Sequence, residues 1–163
     1  MMKTYDARGN GTGDVACTIT GDHENRITDY TALVCGDGGE NMGYIVRRFT
    51  PREAERLMGF PDDWTDIGEY VGTDGKKRRS SDTVRYRALG NSIAVPCFAF
   101  VLGRAREFLG DDPTLGSLFD GIGGFPLAGQ MHGIRPVWAS EIEEFPIAVT
   151  KLTFPEENTD DRD

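Results

Sequence analysis

The sequence predicts an α/β fold of the nucleotide-binding kind, from three observations. An apolar run at residues 115–119 reads as a buried strand. Asp120 and three glycines, Gly121, Gly123 and Gly124, follow at once and lead into a helix-like stretch at 125–132. A second strand, 136–140, ends in Ser140-Glu141, about 20 residues past the turn, where an acidic residue can accept hydrogen bonds from both ribose hydroxyls. The turn departs from the dinucleotide fingerprint, because Pro126 stands where a third glycine is expected. Glu141 also admits a plainer reading, a solvated charge favourable to a helix N-terminus.

The chain of 163 residues is long enough for one domain with a real core, or for one domain and a small appendage. Its 38% hydrophobic and 28% charged residues are those of an ordinary soluble protein. No apolar run approaches the ~18 residues of a membrane helix, and the N-terminus has no signal-peptide core, so a cytoplasmic location without a membrane partner is expected. Cys17, Cys35 and Cys97 are odd in number and unpatterned, which fits reduced structural thiols. A free-standing DNA binder is usually basic, whereas the net charge here is −9. Any DNA contact must therefore come from a local basic face or a partner. His23 and His132 stand alone, so no metal site is expected.

Three parts and a tail are expected. Residues 1–43 are rich in Gly, Thr and Asp, with alternation at Val15, Cys17 and Ile19 and again near Tyr30, Leu33 and Val34, suggesting short strands. Residues 44–110 hold two expected helices. Thr50, Pro51 and Glu53 form a capping-box start to the first, which should run to about Met58 with Ala54, Leu57 and Met58 inward and Gly59 at its end. A turn, Phe60-Pro61-Asp62-Asp63-Trp64, and a charged loop, 72–81, come next. The second helix is expected from near Ser92 to about Leu109, capped by Asn91 or Ser92, with Phe98, Val101, Leu102, Ala105 and Leu109 at helical spacing. A flexible link at 110–114 leads into the segment 111–154, and 155–163 reads as a disordered acidic tail.

Several blocks together resemble the cytosine-5 DNA methyltransferases. Leu118-Phe119-Asp120-Gly121-Ile122-Gly123-Gly124-Phe125, followed by Ser140-Glu141, looks like the first two motifs of that family. The run from Arg47 through Thr50-Pro51-Arg52-Glu53-Ala54 to Gly59-Phe60-Pro61 resembles the penultimate motif, and Arg85-Tyr86-Arg87-Ala88-Leu89-Gly90-Asn91-Ser92-Ile93-Ala94-Val95-Pro96 the final one. More loosely, residues 5–34 look like the end of a phage or bacterial target-recognition segment. The motif order is inverted, because the Gly-Asn-Ser block precedes the glycine turn. That resembles circularly permuted or split members and implies a partial Rossmann-like methyltransferase fold in which a short linker joins the final helix to the first strand.

The resemblance implies S-adenosylmethionine as cofactor. Phe119, Gly121, Ile122 and Gly124 would wrap its methionine and adenosine parts, where a Cβ would block close backbone approach. Glu141 would hold the ribose and Ile142 would lie against the adenine. Phe60, Asn91, Ser92 and Ile93 would close the other side. Core packing is the plainer reading for Phe60 and Ile93, and helix capping for Asn91 and Ser92.

The resemblance also implies what is missing. The family's thiolate attacks cytosine C6 of a flipped-out base, from a Pro-Cys-Gln loop supported by a Glu-Asn-Val motif. Neither stands in this sequence, and the three cysteines read as structural, so no catalytic residue is assigned and the chain alone is expected to be inactive. The leading expectation is part of a DNA (cytosine-5-)-methyltransferase, of the restriction-modification kind, acting on DNA with a complementary subunit or as a homo-oligomer. The alternatives are a non-catalytic degenerate module that binds the cofactor or a protein, and a DNA-recognition fragment using residues 1–43. Lys76-Lys77-Arg78-Arg79 could touch DNA phosphates or form a solvated loop, and Arg52 and Arg56, with Glu55 nearby, read as ion-paired.

Overall fold

The computed structural model describes the backbone of residues 3–4, 31–35, 44–155 and 158–160, and the side chains of 48–155. Helices and strands are mixed, as expected. Strands β1 (Lys3–Thr4), β2 (Thr31–Cys35) and β3 (Tyr44–Arg48) form an antiparallel sheet in that order. The expected strands around Val15 to Ile19 lie outside the described residues.

Helix α1 (Pro51–Met58) starts and stops where its sequence says. The Thr50 hydroxyl accepts the Glu53 N–H at 3.2 Å, and Glu53 accepts the Thr50 N–H at 2.8 Å. Gly59 ends the helix at φ +83°, which glycine adopts without steric cost. Ala54 is fully buried and Met58 packs against the core, as expected, but Leu57 is 39% exposed and Glu55 takes a fully buried place instead. Arg52 and Arg56 are indeed ion-paired, but with Asp63 and Asp62 of the following turn, each at 2.6 Å, rather than with Glu55.

The charged loop is a hairpin of β4 (Glu69–Val71) and β5 (Lys77–Arg79), antiparallel, with Tyr70 opposite Arg78. The second expected helix is two. Helix α2 (Asp82–Asn91) ends at Asn91, with Ser92 extended at φ −85°, ψ 170°. Helix α3 (Val95–Ala105) begins three residues on, because Pro96 has no N–H to give a carbonyl four residues back and its ring would clash there, whereas proline suits the first turn of a new helix. Asn91 and Ser92 therefore close α2 instead of capping α3. On α3 the buried positions are Val95, Ala99 and Leu102, whereas Val101 and Leu109 are exposed. By length and composition the stretch Asp82–Phe108 could cross a membrane. It is broken at 92–94, and Leu89, Val95 and Leu102 belong to the protein core.

Strands β6 (Thr114–Leu118), β7 (Arg135–Ser140) and β8 (Asn158–Asp160) form a parallel sheet in that order, with α4 (Gly124–Gln130) and α5 (Glu144–Thr153) as crossovers. Strand β6 is not buried throughout. Ser117 is covered, but Leu118 and Phe119 are 60% and 83% exposed. The strand β8 lies within the stretch read from sequence as a tail; the remaining residues beyond 155 lie outside the description.

One core joins the two segments that the sequence separates. Ala54, Phe60, Leu89, Val95 and Leu102 pack with Ile122, Ile134, Phe145 and Val149. The Phe98 and Phe125 rings meet edge to face at 4.6 Å between centroids, an arrangement aromatic pairs favour.

Candidate cofactor-binding site

The glycine turn is built by backbone that side chains resist. Gly121 and Gly123 take φ of +60° and +84°. A Cβ at Gly123 would lie 2.6 Å from the Phe154 ring, and one at Gly124 would lie 2.8 Å from Ile93 Cγ1 and 3.3 Å from Ser92 Oγ. Gly124 thus lets the α2–α3 connection sit against the start of α4. Gly121 faces open space where its Cβ would be. Phe119 also lies in the left-handed region, at φ +54°, and holds its ring exposed. Such a backbone costs a non-glycine residue on the order of 1–3 kcal/mol and is concentrated at functional sites.

Glu141 ties the turn to the end of β7. Its Oε2 accepts the Gly121 N–H at 2.7 Å, while Oε1 accepts the N–H groups of Ile142 at 2.7 Å and Glu143 at 2.9 Å. A carboxylate offers about four acceptor positions, so one remains on Oε2 for a further donor. Trp64 anchors the turn from the other segment: its indole Nε1–H donates to the Ile122 carbonyl at 2.8 Å. Asp120 is 3% exposed, and its Oδ1 accepts the Ser117 hydroxyl at 2.6 Å. Burial pushes its carboxyl up to about 6.

Five of the sequence-predicted residues meet around a cavity of about 610 Å³: Asn91, Phe119, Gly121, Glu141 and Ile142. That size lies inside the ~300–1,000 Å³ range of small-ligand sites. Ile142 is 70% exposed, so the wall carries two exposed apolar side chains, Phe119 and Ile142, beside one carboxylate. Phe60 and Ile122 are buried in the core instead, and Ser92, Ile93 and Gly124 pack against one another just outside the cavity. Two buried side-chain oxygens among the described residues have no hydrogen-bond partner, Ser92 Oγ and Asp120 Oδ2, and both adjoin the glycine turn.

Sequence reading missed several lining residues. Val84, Arg87 and Ala88 join the expected Asn91 on one face of α2; their spacing is helical and was legible once residues 82–91 are taken as a helix. Tyr70 and Arg78 come from the hairpin, and Glu143, Glu144, Phe145 and Pro146 from the start of α5. Cys97, on the first turn of α3, is exposed and does not line the cavity.

Residues 3–106 match the family of C-5 cytosine-specific DNA methylases. The chain is similar to a DNA (cytosine-5)-methyltransferase of Oryza sativa subsp. japonica, 34% identical over 107 residues, which are 66% of this chain and 16% of that protein. A type II methyltransferase of Haemophilus parainfluenzae is 38% identical over 88 residues, 54% of this chain and 21% of its own. A DNA-cytosine methyltransferase of Escherichia coli (strain K12) is 44% identical over 61 residues, 37% and 11% respectively. The chain thus aligns with no more than 21% of the length of any of these three relatives.

Proposed function

The chain belongs to the C-5 cytosine-specific DNA methylase family, and on that footing we propose that it is the S-adenosylmethionine-binding part of a DNA (cytosine-5-)-methyltransferase with permuted motif order. The observation that carries this reading is the meeting of Asn91 with Phe119, Gly121, Glu141 and Ile142 around one cavity. Asn91 comes from the segment before the 110–114 link and the other four from the segment after it, and the family resemblance assigns all five to the cofactor.

The residues present fit the group. Phe119 and Ile142 offer apolar surface to a nucleobase, and the free acceptor position of Glu141 suits a ribose hydroxyl. The open space at Gly121 admits close approach to the backbone. Ser92 Oγ and Asp120 Oδ2 are buried polar atoms without partners beside the turn, but neither residue lines the cavity, and the fit rests on the lining residues. Bound there, S-adenosylmethionine would supply an electrophilic methyl group. The chain's own residues would bind and orient it, and the anchoring of the turn by Trp64 and Glu141 would hold that orientation.

Attack on cytosine needs a thiolate. Cys97 lies away from the cavity, and Cys17 and Cys35 have no described side chains. We propose that the nucleophile comes from a part of the enzyme outside these 163 residues, on a complementary subunit or a further segment. The open edge of β6, which pairs with β7 alone among the described strands, and the exposed Leu118 and Trp138 beside it support such a docking partner. A net charge of −9 likewise favours DNA contact through the assembled enzyme.

Labelled S-adenosylmethionine and duplex DNA test this reading. The purified chain should transfer no methyl group by itself. Incorporation by the chain alone, abolished by Cys→Ser replacement at 17, 35 or 97, would overturn it.

A further inference from the structure

One wall of the cavity belongs to none of the family-like motifs. The β4–β5 hairpin contributes Tyr70 and Arg78 to it. Two strands of three residues are marginal in water without outside support, and this hairpin is fastened to the start of α5 by a single carboxylate. Glu144 Oε1 accepts the Thr73 N–H at 3.0 Å and the Thr73 hydroxyl at 2.5 Å, while Oε2 pairs with the Arg78 guanidinium. Arg78 is held from its other side by Asp74 Oδ2 at 3.1 Å. Gly72 makes the arrangement possible, because a Cβ there would collide with the Arg78 guanidinium and lie 2.9 Å from Glu144 Oε2. An apolar contact completes the join: Tyr70 packs edge-on against the buried ring of Phe145, at 5.4 Å between centroids.

The anchors, Glu144 and Phe145, lie two and three residues after Ile142, and Ile142 is the side chain on which a nucleobase would lie. We infer that the hairpin is the adenosine-side wall of the pocket, with Glu144 as its positioning residue and Tyr70 and Arg78 as the groups that face the ligand. A planar guanidinium and a phenol ring are both suited to the face or edge of a purine. Glu144 acts through the hairpin, since Thr73 engages its Oε1 and Arg78 its Oε2. The inference deepens the proposed function and rests on it.

Calorimetric titration of the full chain with two probes tests the inference. S-adenosylhomocysteine carries both ends of the cofactor, and 5′-methylthioadenosine lacks the amino-acid end. Glu144→Gln keeps an acceptor for Thr73 and removes the charge that holds Arg78; Gly72→Ala displaces Arg78 by another route. Both variants should weaken both probes by the same factor, roughly tenfold, with thermal unfolding midpoints near that of the unmodified chain. Affinities unchanged in both variants would overturn the inference and leave the proposed function standing. A loss confined to S-adenosylhomocysteine would also overturn it, because the wall would then serve the amino-acid end. Failure of the unmodified chain to bind either probe would overturn the proposed function, and the inference with it.

Discussion

The indole N–H of Trp64 donates to the backbone carbonyl of Ile122 at 2.8 Å, across 58 residues of sequence. Ile122 is fully buried, and the Trp64 ring also packs near Phe60 and Phe154, at 5.6 and 5.7 Å between centroids. The turn after α1 and the glycine turn are thereby one structure. Trp64→Phe keeps most of the ring but leaves the Ile122 carbonyl without its donor. A loss of about 1–3 kcal/mol is expected, read as a lower urea midpoint at unchanged slope. An unmoved midpoint would mean that the bond contributes nothing net.

A second relationship ties α1 to α2. Glu55, fully buried, accepts from the Thr65 N–H at 2.9 Å, the Asp63 N–H at 2.8 Å and the Arg85 guanidinium at 3.1 Å. Arg85 in turn donates to Thr65 Oγ1 at 2.9 Å. Removing one partner of a buried pair strands the other charge, so Glu55→Ala should cost about 3–5 kcal/mol. Equilibrium denaturation checks this, and a cost under about 1 kcal/mol would show that the pair behaves like an exposed one.

Asp120 gives the pH dependence a definite sign. Burial raises its carboxyl from 3.8 to about 6, against the lowering effect of the Ser117 hydrogen bond and with some help from the Glu141 charge. Between about pH 4 and pH 6 the unfolded chain is ionised at this position while the folded chain keeps its proton. Its contribution to stability is therefore present at low pH, is lost as pH rises through that window and stays lost above it, on the order of 2–3 kcal/mol in all. Asp120→Asn should unfold at a higher temperature than the unmodified chain at about pH 7 and converge with it near pH 4. Parallel curves for the two proteins across that range would refute the assignment.

What the sequence made legible was local chemistry. Thr50, Pro51, Glu53 and Gly59 specify α1 to the residue, since capping and αL termination act within a few positions. The glycine turn was legible for the same reason. Helix α2 was not, because its buried positions include Arg85, a charge that breaks the apolar periodicity and is satisfied by partners 20 and 30 residues away. The hairpin was missed because Lys77, Arg78 and Arg79 show no alternation; its anchor, Glu144, lies 66 residues on from Arg78. Of the candidate site, Asn91, Phe119, Gly121, Glu141 and Ile142 stand in local motifs and line the cavity, while Tyr70 and Arg78 depend on tertiary placement that no local pattern encodes.

The central claim is that the glycine turn and Glu141 form a nucleoside cofactor site. Isothermal titration of S-adenosylhomocysteine into the full chain and into Glu141→Ala tests it most directly. The unmodified chain should bind, and the variant should lose on the order of 1–3 kcal/mol, roughly five- to 150-fold in affinity, because a charged acceptor for the ribose and the anchor of Gly121 disappear together. Equal affinity in the two proteins would contradict the claim.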